Sequence, residues 1–136
     1  MSIRIVRLGT PRSEGEGVRI GTVRRPPRGV PKAQFSSGNW YDVWYPNLSP
    51  SPESMKLALS THEEPDASKA AQNWALFTRL FRREMAAPEA ARTLDLLAAL
   101  SHGANFSVGC YCADEARCHR SILRALLAER GADIKD

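Results

Sequence analysis

The chain has 136 residues, 43% of them apolar, with a formal net charge of +4. That length suits one domain with one core, since domains cluster near ~100–150 residues. No run nears the ~18 apolar residues of a membrane span, and the N-terminus alternates arginine with aliphatics, unlike a signal peptide. A cytoplasmic protein with no membrane partner is expected.

Ile3–Leu8 is rich in β-branched residues and reads as a strand. Pro11–Gly17 is a loop. Val18–Arg24 alternates apolar and polar residues, which predicts a second strand with Val18, Ile20, Thr22 and Arg24 on one side. Arg25–Pro31 holds three prolines, which lack N–H donors, and Gly29, which permits an unusual turn. Trp40–Tyr45 is a short strand or an ordered loop. Ser49–Glu53 combines serine, proline and an acid in the order of a helix start, and the helix should run through Met55, Leu57 and Leu59 and fade near Thr61. Ser68 is the expected cap of a second helix bearing Trp74, Phe77, Phe81 and Met85 at helical spacing, a core stripe rather than a ligand box. Pro88 opens a third helix with Ala91, Leu94, Leu97, Ala98 and Leu100, ended by Gly103.

Asn105–Gly109 reads as a buried strand. If it extends to residue 112, Phe106, Val108, Cys110 and Cys112 share one face. The last helix buries Ile122, Leu123, Leu126 and Leu127 and stops at Gly131. It starts either after an Asp114 cap or near Cys118. These elements predict an α/β fold over residues 1–136: a small single-domain, three-layer arrangement with a short, mostly parallel sheet and flanking helices.

All three cysteines lie in one segment, Cys110–Arg120, between the predicted last strand and last helix. An odd, clustered set is unlike a secreted disulfide framework and points to thiol chemistry or a metal. Three readings compete. Cys110, Cys112, Cys118 and His119 match a known zinc composition, although the C-x-C pair and adjacent Cys-His depart from common ligand spacing. Alternatively, Arg117, His119, Arg120 and the helix N-terminus form an anion pocket in which Cys112 or Cys118 is a low-pKa nucleophile. The third reading is packing, strongest for Cys110. The C-x5-R spacing of protein tyrosine phosphatases is absent: six residues after Cys112 stands Cys118, and six after Cys110 stands Ala116.

The charge is uneven. Residues 1–35 hold eight Arg/Lys against two Glu, and fifteen of the nineteen basic residues are arginine. Arginine suits bidentate contact with phosphate or carboxylate. Arg24, Arg28 and Gly29 follow the second strand and would meet Arg120 if both strands end at one edge; alternatively Arg28 only ties down its own loop. Trp40, Tyr41, Trp44 and Tyr45 read first as cover for a core edge and second as a stacking surface for bases.

Several segments carry a resemblance. Thr22–Val30 resembles a V-D-R-L-W-P-R-G-V run, and Trp44 with Leu48-Ser49-Pro50-Ser51 resembles W…(I/L)-(T/A)-P-S. Trp74, Phe77 and Phe81–Met85 resemble W-x-x-F-x-x-x-Y-x-x-E-L, and Cys110–Arg120 ends in C-H-R. In order and spacing, over about residues 3 to 131, the chain resembles the domain-of-unknown-function 488 family, also called YeaO-like, in its cysteine-containing branch. The resemblance implies a compact α/β domain with the second-strand and cysteine motifs close together, and no settled activity. Val23 stands where the family has Asp, and Pro26 where it has Trp, so an acid at that place is lacking here.

The expected function is binding of a phosphate-bearing ligand, a nucleotide or nucleic acid, in a Cys/His/Arg pocket. Cys112, Cys118 and His119 would be catalytic if the protein is a thiol-dependent enzyme, and Arg24, Arg28, Gly29, Arg117 and Arg120 would hold the ligand. The rival is a non-catalytic zinc-binding or redox-sensing module, with zinc on Cys110, Cys112, Cys118 and His119 and electrostatic nucleic-acid binding.

Overall fold

The computed structural model describes residues 1–136. Strands β1 (Ile3–Arg7), β2 (Val18–Gly21), β3 (Val43–Trp44), β4 (Phe106–Cys110) and β5 (Ile134–Lys135) form one sheet in the order β3-β2-β4-β1-β5. Every pairing is parallel. Four helices flank it: α1 (Pro52–Glu63), α2 (Ala67–Met85), α3 (Pro88–Leu100) and α4 (His119–Glu129). No helix is long and apolar enough to cross a membrane.

The local signals explain most boundaries. Ser51 caps α1 by accepting from the Ser54 N–H, and Pro52 occupies the first turn, where a missing donor costs nothing. The cap of α2 is Asp66, not Ser68: its carboxylate accepts from the N–H groups of both Ser68 and Lys69, which places Ser68 inside the helix. Strand β2 is shorter than expected. The Val23 carbonyl accepts from Trp44 Nε1 at 2.8 Å, and the prolines that follow cannot donate to a neighbour. Strand β5 was not foreseen; two residues carry too little pattern to read, and Ile134 is placed by pairing with Ile3.

The two faces of the sheet are covered differently. Ile3, Phe106 and Val108 join Phe77, Phe81, Leu94, Leu123 and Leu127 in the main core, with Ile5 and Ile20 packed against it. By the two-residue alternation, Arg19, Gly21, Ser107 and Gly109 face the other way. There the cover is loop. Glu16 reaches Ser107 and Arg19, and Tyr41 packs on Gly21. A Cβ on Gly109 would lie 2.6 Å from the Val6 carbonyl oxygen and 2.9 Å from Leu8 Cδ2. Backbone in a central strand cannot move aside, so Gly109→Ala is expected to cost about 1–3 kcal/mol, read as a lower urea midpoint at unchanged slope.

The topology also positions the chemistry. The chain leaves β2 toward β3 on one side and leaves β4 through α4 toward β5 on the other. Adjacent parallel strands whose connections diverge leave a crevice at their carboxyl ends, where open α/β sheets bind ligands. Here that crevice lies between Thr22–Arg24 and Cys110–Cys112.

Candidate functional site

β4 delivers Cys110 on the same side as Phe106 and Val108, and its side chain is 2% exposed. The chain then turns at Tyr111, leaving Cys112 half-buried. Asp114 caps a short helical turn over Glu115–Arg117 by accepting from the Ala116 N–H. Cys118 stands at the cap position of α4, also 2% exposed, so the strand end and helix start fold back on each other. Both predicted starts thus find a counterpart: Asp114 caps the turn, and the long helix begins after Cys118. The outcome is three free thiols whose sulfurs all lie within 4.8 Å of one another.

The sulfurs are not equivalent. Cys112 is held well below an ordinary thiol, first by a hydrogen bond with Cys110, then by one with Cys118 and the positive charge of Arg120, against the opposing effect of burial. Cys110 is pushed up by those same hydrogen bonds and by burial. Cys118 is lowered, chiefly through Cys110 and with help from His119, while Cys112 and burial oppose. Cys112, the most accessible sulfur, and Cys118 are thus held below an ordinary thiol, while Cys110 is held above it.

Arg120 is only 3% exposed and forms no ion pair with a carboxylate. Its Nη2 donates to the Cys112 carbonyl at 2.6 Å, and its Nε has no partner. Burial alone would lower this guanidinium; Cys110 and Cys118 more than offset that and raise it. A buried cation needs compensating negative charge, and Cys110 and Cys118 act on it together with Glu115. His119, also 3% exposed, places Nε2 2.8 Å from the Thr22 carbonyl. A carbonyl only accepts, so Nε2 carries a proton there, while Nδ1 lies 3.8 Å from Cys118 Sγ. Phe81 meets the imidazole edge-on at 5.6 Å and fixes its plane.

Two cavities open at this edge. One, about 480 Å³, is lined by Val23, Arg24, Met55, Cys110, Cys112 and His119 among others. The other, about 600 Å³, is lined by Arg7, Thr10, Arg25, Arg28, Trp40 and Tyr111 among others. Arg25 and Tyr111 line both. Val23, at the place where the resembling family has Asp, packs in an apolar cluster with Cys110 and Cys118.

The sequence-predicted residues therefore divide. Cys110, Cys112, Cys118, His119 and Arg120 converge, and Arg24 lines their cavity while donating to the Pro50 carbonyl. Arg28 lines the other cavity, away from Arg120. Gly29 supplies a turn with φ +76° and lines neither. Arg117 turns to α2, with its guanidinium carbon 5.9 Å from the Trp74 ring centroid. His119 contributes no atom to the three-sulfur group. Of the aromatics, Tyr41 is buried in the second apolar cluster, while Trp40 lines the arginine cavity. Sequence reasoning missed Arg7, Arg25 and Tyr111. Arg7 ends a parallel strand, and the carboxyl-end rule would have found it.

A family model described as the active DUF488-N3 subclade matches residues 3–131. No curated protein and no solved structure matches the chain.

Proposed function

We propose, for a chain that belongs to the active DUF488-N3 subclade, that it performs thiol-dependent chemistry on a phosphate-bearing ligand, with Cys112 as the nucleophile. One observation carries this reading: buried Arg120, without a carboxylate partner, beside three sulfurs of which Cys112, half-buried on the cavity wall, is the most exposed. A thiolate is the reactive form of cysteine, and a neighbouring guanidinium favours it. In the reaction, Cys112 Sγ bonds to an electrophilic carbon or phosphorus of the ligand. The bond to the leaving group breaks, and the leaving group takes the electron pair and a proton from the Cys118–His119 pair. Water then cleaves the sulfur bond and returns that proton. Arg24, at the mouth of the same cavity, is the residue to hold the ligand's negative charge.

The test is iodoacetamide alkylation followed by mass mapping across pH. Cys112 is expected to react first and to stay fast at pH ~5–6, far below an ordinary thiol near ~8.5. Cys112→Ser should abolish the fast phase and leave two slow thiols. Three slow thiols in the native protein would sink the proposal.

A second reading rests on the sulfur grouping within 4.8 Å. Three thiolates with a side open to a cavity suit a zinc ion with one exchangeable position, and Arg120 would offset the net negative charge. Metal analysis of protein purified without chelator separates the two readings. About one zinc per chain, with thiols protected until it is stripped, favours this one.

A further inference from the structure

The cavity lined by Arg7, Arg25 and Arg28 has no part in the thiol chemistry and needs its own explanation. All three arginines are exposed, and none forms an ion pair with a carboxylate. The Arg7 side chain makes one hydrogen bond, from Nε to the Tyr111 carbonyl at 3.2 Å. Arg12, Arg19, Arg82, Arg124 and Arg130, by contrast, each meet Asp or Glu. Three unneutralised guanidinium groups around one concavity repel one another, and an anion seated among them relieves that repulsion.

The walls add a second requirement. Trp40 packs against Gly9, which has φ +87°; a Cβ there would lie 2.8 Å from the indole ring. Trp40 and Tyr111 meet edge-to-face, with ring centroids 6.0 Å apart. Tyr111 is itself fixed, its hydroxyl donating to the Arg25 carbonyl at 2.8 Å. Pro26 and Pro27 stiffen the loop that presents Arg25 and Arg28. The cavity is thus a rigid aromatic wall facing a set of free cations, with a volume of about 600 Å³, inside the ~300–1,000 Å³ range of small-molecule sites.

The geometry points to this cavity as a nucleotide site: Arg7, Arg25 and Arg28 hold the phosphate of a nucleoside phosphate, and Trp40 supports its base. The site deepens the reading of Cys112 by naming the ligand class, yet binding itself needs no thiol. Arg25 and Tyr111 line both cavities, so a nucleotide anchored here can extend a substituent past Tyr111 toward Cys112. The same chemistry is offered by a free nucleotide and by the terminal nucleotide of a strand.

Calorimetry on the intact protein, with ADP, adenosine, inorganic phosphate and a 5′-phosphorylated oligonucleotide as probes, tests this. ADP or the oligonucleotide is expected to bind, at least tenfold more tightly than adenosine or phosphate alone, and the tighter of the two identifies the source. Arg25→Ala with Arg28→Ala should weaken binding at least tenfold, and Trp40→Leu should narrow the margin between ADP and phosphate. Cys112→Ser should leave the affinity unchanged, so a failed thiol reading and a failed nucleotide reading give different patterns. The arginines are solvent-facing, and an unaltered urea midpoint confirms that the variants fold. Binding of neither ADP nor the oligonucleotide, equal binding of phosphate and ADP, or affinity unaltered in the double arginine variant would overturn the assignment.

Discussion

Arg19→Met is expected to cost about 3–5 kcal/mol of folding stability, the largest effect of any single substitution away from the apolar core. Arg19 is fully buried and paired with Glu16, which is 2% exposed; its Nε lies 2.7 Å from the carboxylate. Its Nη1 donates to the Thr10 and Asn39 carbonyls, while Glu16 also accepts from Ser107 and from the Ser13 N–H. Both charges are fully coordinated, and removing one leaves the other buried and alone. The pair also predicts a pH dependence. Burial would raise the Glu16 carboxyl, but Arg19, Ser107 and Ser13 together lower it from 4.5 to about 2. The folded value lies below the unfolded one, so the stabilisation is present above the unfolded value and is lost as pH falls toward the folded one. By linkage it amounts to about 3 kcal/mol. Urea midpoints measured between pH ~5 and ~2 should fall in the native protein. A combined Glu16→Leu, Arg19→Met variant should flatten this acid slope to the part that Asp42 contributes, and cost less than the two single changes summed, because no orphan charge remains.

The second large effect is on reactivity. Arg120→Met should move the alkylation rate profile of Cys112 to higher pH by about one unit or more. The sign follows from the charge: the guanidinium favours the thiolate, so its removal moves the thiol upward and shifts the rate profile to higher pH. The hydrogen bonds from Cys110 and Cys118 remain, which is why the thiol should not return fully to its ordinary value. Near-UV circular dichroism checks that the core is intact. An unshifted rate profile in a folded Arg120→Met protein would show that Arg120 does not act on Cys112.

Much of this architecture was readable from one sequence because the signals were local. Ser51-Pro52 starts α1 through one hydroxyl and one missing donor, and Phe77, Phe81 and Met85 mark the buried stripe of α2 by spacing alone. The thiol segment was recognisable by composition and by its place between strand and helix. What stayed hidden depends on distant partners. Arg19 sits on the polar positions of an alternating strand, where solvent is the ordinary expectation. Its burial follows from a carboxylate in the preceding loop and carbonyls at Thr10 and Asn39, which no periodicity encodes. Arg28 and Arg120 were expected together because both follow strands ending at one edge. That edge holds two separate concavities, and Tyr111 forms part of the wall between them.

The place of β4 in the sheet has a consequence for synthesis. β1 and β2 do not touch in the sheet; each pairs with β4, Ile3 and Val18 both meeting Phe106. A growing chain that has emerged only through α3 therefore holds two strands with no common neighbour. Their pairing edges stay open until the final quarter arrives, and closing such long loops is slow. The nascent protein cannot settle domain-first from its N-terminus. A ribosome-bound chain stopped before Asn105 should remain protease-sensitive throughout, and protection should appear in one step once α4 clears the exit tunnel.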